Sequence, residues 1–122
     1  MALPSMSVRR SSVGVTAWGG LIYAVGGYDG YMRQCLNTVE IYEPRANRWR
    51  AGPTLMSRRS GAGVTVVAYK LVTVGGHDGP LVRDTAEVKT SVILSKETSV
   101  YLWFYMVLDI RRAHFEACGC DP

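Results

Sequence analysis

Two arginine pairs, each followed by serine, carry the most chemistry in this chain: Arg9-Arg10-Ser11-Ser12 and Arg58-Arg59-Ser60. A guanidinium grips a carboxylate or phosphate through two parallel hydrogen bonds, and neighbouring hydroxyls donate or accept beside it. Downstream of each pair lies a glycine doublet followed by a ring, Gly26-Gly27-Tyr28 and Gly75-Gly76-His77. The doublets lack the third spaced glycine and the following helix of a phosphate-cradling loop. They read instead as punctuation, ending a strand where backbone without a side chain is required. Asp29 and Asp78 then fold the loop through side-chain to backbone bonds. From residue type alone two readings stand for the arginines, recognition groups or solvated loop charges. Two stand for Tyr28, a ring offered to a partner or a half-buried packing residue. Arg33 and Arg83 either extend a basic rim or are plain surface. Ser12, two residues after an arginine, suits a basophilic kinase, and phosphate there adds negative charge beside the basic groups.

No catalytic constellation accompanies these groups. There is no phosphate loop, no Gly-x-Ser-x-Gly elbow and no His-Glu-x-x-His, so the expectation is a non-enzyme without cofactor. His77 has no second ligand at useful spacing, which argues against a metal. The cysteines Cys35, Cys118 and Cys120 are too few for a disulfide framework and lack zinc spacing, leaving metal binding or oxidation at Cys118-x-Cys120 as a minor reading. A reducing, cytoplasmic setting is expected. The net charge of +4 is too small to argue for nucleic acid, and basic residues alternate with acids instead of joining aromatics in a stripe. "MALPSMSVRR" has no apolar core of a signal peptide, and the longest apolar run, Val100 to Leu108, is far short of a membrane span.

The elements that position these groups follow from a repeat. Residues 9–30 laid over 58–79 match at 11 of 22 positions with a constant offset of 49. Beyond the glycines the second copy is two residues shorter, and Thr38-Val39-Glu40-Ile41 meets Thr85-Ala86-Glu87-Val88. A repeat of this length built from short strands indicates propeller blades. In the first copy, residues 12–18 form a strand, Gly19-Gly20 a hairpin turn, and 21–25 an apolar strand buried on both faces. A loop leads to a third strand over 38–44, and 47–52 is the short outer one. The second copy supplies its first two strands and the start of its third, and then the pattern fails. Trp103 lies 15 residues after Val88, whereas Trp49 lies eight after Ile41. The expected organisation is a first blade over 1–56, a partial second blade over 57–88, and a tail over 89–122 that is foreign to the repeat. The β-prone, apolar "SVYLWFYMVL" of that tail either promotes aggregation or adds a strand to the incomplete blade.

A strand ending in Gly-Gly, a loop, then "TVEIYEP" and a tryptophan eight residues after Ile41 resembles the kelch repeat, over about residues 4–88. "RRSSVGV", "YAVGGYDGYMRQCLNTVE", "RRSGAGV" and "GGHDGPLVR" are similar to the kelch-like proteins that carry an N-terminal BTB domain, above all to the branch of ring canal kelch and kelch-like proteins two and three. The resemblance implies an all-β fold, an incomplete kelch β-propeller of about two four-stranded antiparallel blades, the second incomplete. In that family about six repeats close the propeller, which binds actin or captures a substrate while the BTB domain recruits a cullin-3 ubiquitin ligase. No BTB region precedes the repeats here, so cullin recruitment is not expected.

By the same resemblance, Arg10, Ser11, Arg59 and Ser60, together with Tyr28 and His77, face the ligand, and their chemistry suits an acidic protein segment. The expected function is therefore a protein-interaction module, cytoplasmic and associated with the cytoskeleton if actin is the partner. The competing expectation is a truncated product without stable activity. Two blades leave sheet faces uncovered, which predicts weak stability or self-association.

Overall fold

The computed structural model describes residues 2–90 and 105–109. Two antiparallel four-stranded sheets account for most of them. The first contains β1 (Gly14–Trp18), β2 (Leu21–Val25), β5 (Val39–Glu43) and β6 (Arg48–Ala51), in the order β1-β2-β5-β6. The second contains β7 (Gly63–Val67), β8 (Lys70–Val74), β11 (Thr85–Thr90) and β12 (Tyr105–Asp109), in the order β7-β8-β11-β12. Each loop after a glycine doublet is itself a two-residue ribbon, β3 (Tyr28–Asp29) with β4 (Gln34–Cys35), and β9 (His77–Asp78) with β10 (Leu81–Val82).

These are propeller blades, and the expected strands appear in the expected order. The outer half of the second blade takes one of the two readings open for the tail, an added strand. Its third strand runs on to Thr90, and residues 105–109, inside the stretch read as foreign to the repeat, pair antiparallel with β11 from Thr85↔Asp109 to Lys89↔Tyr105. The segment has the β-propensity that a fourth strand needs, without the repeat's sequence pattern. Cys118, Cys120, Trp103, His114 and the remainder of the tail lie outside the described residues.

The core lies between the blades. Tyr23, Val25, Val39 and Ile41 of the first sheet pack with Leu71 of the second and with Leu55 of the connection; Trp18, Leu21, Val64 and Val66 close around them. Strand alternation explains the arrangement. Along β1, Gly14, Thr16 and Trp18 turn toward the second blade, whereas Val15 is 56% exposed on the opposite face. Along β7, Val64 and Val66 point back at the first blade. Gly14 permits the contact: a Cβ there would lie 2.2 Å from Val64 Cγ2.

Candidate functional site

The loop end of each blade is assembled from three short pieces. The lead-in to the first strand forms an isolated antiparallel bridge with the residue after the glycine doublet, Ser11 with Tyr28 and Ser60 with His77. In the first blade the Ser11 N–H donates to the Tyr28 carbonyl at 3.0 Å, and Tyr28 N–H returns to Ser11 at 2.8 Å; in the second both bonds are 2.8 Å. The ribbon beyond is closed by Asp29, whose Oδ1 accepts from the Tyr31 and Met32 N–H groups, as expected of a loop-folding aspartate. Asp78 instead pairs with Arg83 at 3.3 Å.

The glycine doublets hold the pieces together and join the blades. Gly26 and Gly27 have φ of 61° and 99°, a region in which side chains are disfavoured. A Cβ on Gly26 would stand 2.3 Å from the Arg59 carbonyl oxygen. That oxygen accepts from Gly27 N–H at 2.9 Å, while Arg59 N–H donates to Leu36 at 2.9 Å.

The six residues expected to face a ligand divide into two groups. Ser11 and His77 are exposed and Tyr28 is half-buried, all at the loop end. Arg10, Arg59 and Ser60 are placed elsewhere than the resemblance implies. The Arg10 side chain is 1% exposed and makes five hydrogen bonds. Its Nε and Nη2 donate to Glu40 Oε2, its Nη1 to the Gly26 and Thr38 carbonyls, and its Nη2 also to Thr38 Oγ1. Arg59 repeats four of these five bonds, from Nε to Glu87 Oε2, from Nη1 to the Gly75 and Thr85 carbonyls and from Nη2 to Thr85 Oγ1. A guanidinium whose donors are spent inside the fold has none to offer a ligand carboxylate. Ser60 is 2% exposed.

Glu40 and Glu87, which occupy equivalent positions of the repeat, are the partners. Each also fixes the lead-in of its own blade: Glu40 accepts from the Ser7 N–H and hydroxyl, Glu87 from the Met56 and Ser57 N–H groups. Burial acts to raise the Glu40 pKa, but the hydrogen bonds from Ser7 N–H, Arg10 and the Ser7 hydroxyl, with the Arg10 charge, outweigh it and hold the carboxyl below its ordinary value. The signal for these pairs was in the repeat, since Arg and Glu recur together in both copies.

The first arginine of each pair is the exposed one. Arg9 and Arg58 are both on the surface, and so is Arg33. Arg58 Nη1 reaches Gln34 Oε1 at 3.3 Å, and Arg83 Nε reaches the Arg58 carbonyl at 3.4 Å, so the two loop ends form one basic rim. Tyr31 at 91% and Val82 at 76% exposure stand as apolar tips on the ribbons of the same loops. Ser12 is exposed at the blade junction, with φ of 49° and its carbonyl accepting from Gly61 N–H at 2.9 Å.

Comparison with known proteins bears on this geometry. The Kelch motif matches residues 9–56 and 58–88, more than half of the chain. The chain is 47% identical over 45 residues to Kelch-like protein 4 of Homo sapiens, which is 37% of this chain and 6% of that protein. It is 41% identical over 44 residues to Kelch-like protein 36 of Mus musculus, 36% of this chain and 7% of that one. It is 43% identical over 51 residues to Kelch repeat protein M-T8 of Myxoma virus (strain Lausanne), 42% of this chain and 10% of the viral protein. The matched stretch thus spans a tenth or less of each relative's length.

Proposed function

This chain belongs to the kelch-repeat family, and from that premise we propose that the loop end of its two blades captures an acidic segment of a partner protein. Kelch repeats form protein-interaction modules, which sets the class of function. The observation that carries the finer reading is the rim: exposed Arg9, Arg33 and Arg58 lie on the same lead-ins and ribbon loop as Ser11, Tyr28 and Ser60, while the ribbon acids are engaged, Asp29 in its own turn and Asp78 with Arg83. Exposed guanidinium groups hold carboxylates bidentately, and the rings supply packing for the peptide between them. In this reading the recognition groups of each Arg-Arg-Ser lead-in are the first arginine and, in the first blade, Ser11. The second arginine positions them.

We further place the chain with the branch of ring canal kelch and kelch-like proteins two and three, on the support of "RRSSVGV" and "GGHDGPLVR". A substrate segment of a cullin-3 ligase and an acidic surface of actin are then the two partner sources, in a cytoplasmic or cytoskeletal setting. Among the described residues no helix is long and apolar enough to cross a membrane. Phosphate on exposed Ser12 would add negative charge at the same rim and oppose an acidic ligand. Isothermal titration of a glutamate-rich peptide and of monomeric actin tests the reading. Saturable binding of one of them, lost in Tyr28→Ala/His77→Ala, supports it, and no binding of either refutes it.

A further inference from the structure

The contact between the two blades is directional. It joins the back of one blade to the front of the next, and both partners of that contact recur without a partner among the described residues. At the junction, Gly27 N–H donates to the Arg59 carbonyl, Arg59 N–H to the Leu36 carbonyl and Gly61 N–H to the Ser12 carbonyl, while Val64 seats against Gly14. Moved along by one repeat, the back of the second blade offers the Gly76 N–H, the Arg83 and Gly61 carbonyls and Gly63. None of these three backbone groups has a backbone or side-chain partner among the described residues. Among the described residues the Gly63 position is open: a Cβ there would meet only the Val74 carbonyl oxygen, at 3.9 Å. Val25, covered by the second blade, is 1% exposed, whereas its counterpart Val74 is 40% exposed.

The front of the first blade presents the complement. Val15, the counterpart of Val64, is 56% exposed, and the Arg10 N–H and carbonyl and the Ser12 N–H, counterparts of those of Arg59 and Gly61, are likewise unengaged among the described residues. We propose that the back of the second blade, over β7 and the end of β8, is a docking site for the front of the first blade of a second copy of this chain. Val15 of the incoming copy fills the space over Gly63, as Val64 does over Gly14. Gly76 N–H donates to its Arg10 carbonyl, its Arg10 N–H to the Arg83 carbonyl and its Ser12 N–H to the Gly61 carbonyl. The contact is heterologous, so it propagates head to tail into a ring or a filament instead of stopping at a symmetric dimer.

Sedimentation velocity on the full chain across a wide concentration range tests this. Wild type should associate reversibly. Gly63→Val, which fills the receiving space, and Val15→Asp, which buries a carboxylate in it, should each weaken association by roughly 100-fold with an unchanged circular dichroism spectrum. Thr65→Arg, on the same exposed face of β7, is a second back-face variant should Gly63→Val fail to fold. The decisive arm mixes a back-blocked variant with Val15→Asp. One intact front then meets one intact back, and a one-to-one heterodimer forms that neither variant forms alone. A monomeric wild type, variants that associate like wild type, or a mixture that gives no heterodimer would each overturn the proposal.

Discussion

Removing the Arg59 side chain should unfold much of what it holds, with little direct bearing on the ligand surface. The guanidinium is 1% exposed and its partner Glu87 is 0% exposed. In Arg59→Ala the hydrogen bonds to Glu87 Oε2 (2.8 Å), Gly75 and Thr85 O (2.8 Å each) and Thr85 Oγ1 (2.7 Å) are all lost. Glu87 keeps only the Met56 and Ser57 N–H groups. Stranding a buried charge in this way costs about 3–5 kcal/mol. In a domain of this size each kcal/mol moves Tm by roughly 4–8 °C, so the transition should fall by on the order of 12–40 °C or vanish. Replacing both partners removes the stranded charge, and Arg59→Met/Glu87→Leu should recover most of the loss. The neighbouring Arg58→Ala should change stability by less than about 0.5 kcal/mol, because its side chain is on the surface. Thermal denaturation followed by circular dichroism measures all four proteins. An Arg59→Ala variant melting with wild type, or an Arg58→Ala variant melting as far below it as Arg59→Ala, would refute the division of labour between the two arginines.

Other perturbations test the supporting geometry. Gly26→Ala adds a Cβ 2.3 Å from the Arg59 carbonyl at positive φ and should cost roughly 2–5 kcal/mol by chemical denaturation, against about 1–2 for Gly19→Ala, which has the same backbone strain and nothing within 4 Å. The two-residue turn between β7 and β8 holds Ala68 and Tyr69 at φ of 49° and 64°, where the first blade has glycines. Ala68→Asn should therefore stabilise by roughly 0.5–1 kcal/mol, whereas Tyr69→Gly should be near neutral, since the relief is offset by loss of the edge-on Trp18 contact at 5.8 Å. Because the folded-state pKa of Glu40 is lowered, the unfolded chain binds the proton first as pH falls. The Glu40 contribution should be complete above the unfolded value near 4.5 and decline as pH drops toward the folded one, and Glu40→Gln should flatten that part of a Tm-against-pH curve. Ser12→Glu should weaken binding of an acidic peptide in a titration without moving Tm, and equal affinity would count against a phosphate effect at the rim.

What could be read from the chain was whatever a pattern along one strand determines. Residues 21–25 form β2 as expected, because a continuous apolar run ending in Gly-Gly has one use in a blade. The repeat register likewise set which positions are equivalent, so the Ser11–Tyr28 bridge of the first blade recurs as Ser60–His77 in the second. The direction of a long side chain is a different matter. Arg9 and Arg10 are adjacent and chemically identical, yet one is exposed and the other is buried against Glu40, 30 positions away. The register of the lead-in, fixed by the Ser11–Tyr28 bridge, decides between them, and a shift of one residue would exchange their places. The fourth strand at residues 105–109 was open for a related reason. An outer strand is recognised by pairing with β11, and that pairing needs β-propensity but no repeat motif.

The central claim is that exposed arginines at the loop end, and not their buried neighbours, take the partner's carboxylates. Fluorescence anisotropy with a labelled glutamate-rich peptide and its glutamine counterpart, each titrated with wild type and with Arg9→Ala/Arg33→Ala/Arg58→Ala, measures it directly. The account predicts saturable binding of the acidic peptide that weakens with added salt and falls at least about tenfold in the triple variant, whose Tm stays at the wild-type value. Equal affinity of the triple variant and wild type, or equal affinity of the two peptides, would contradict it.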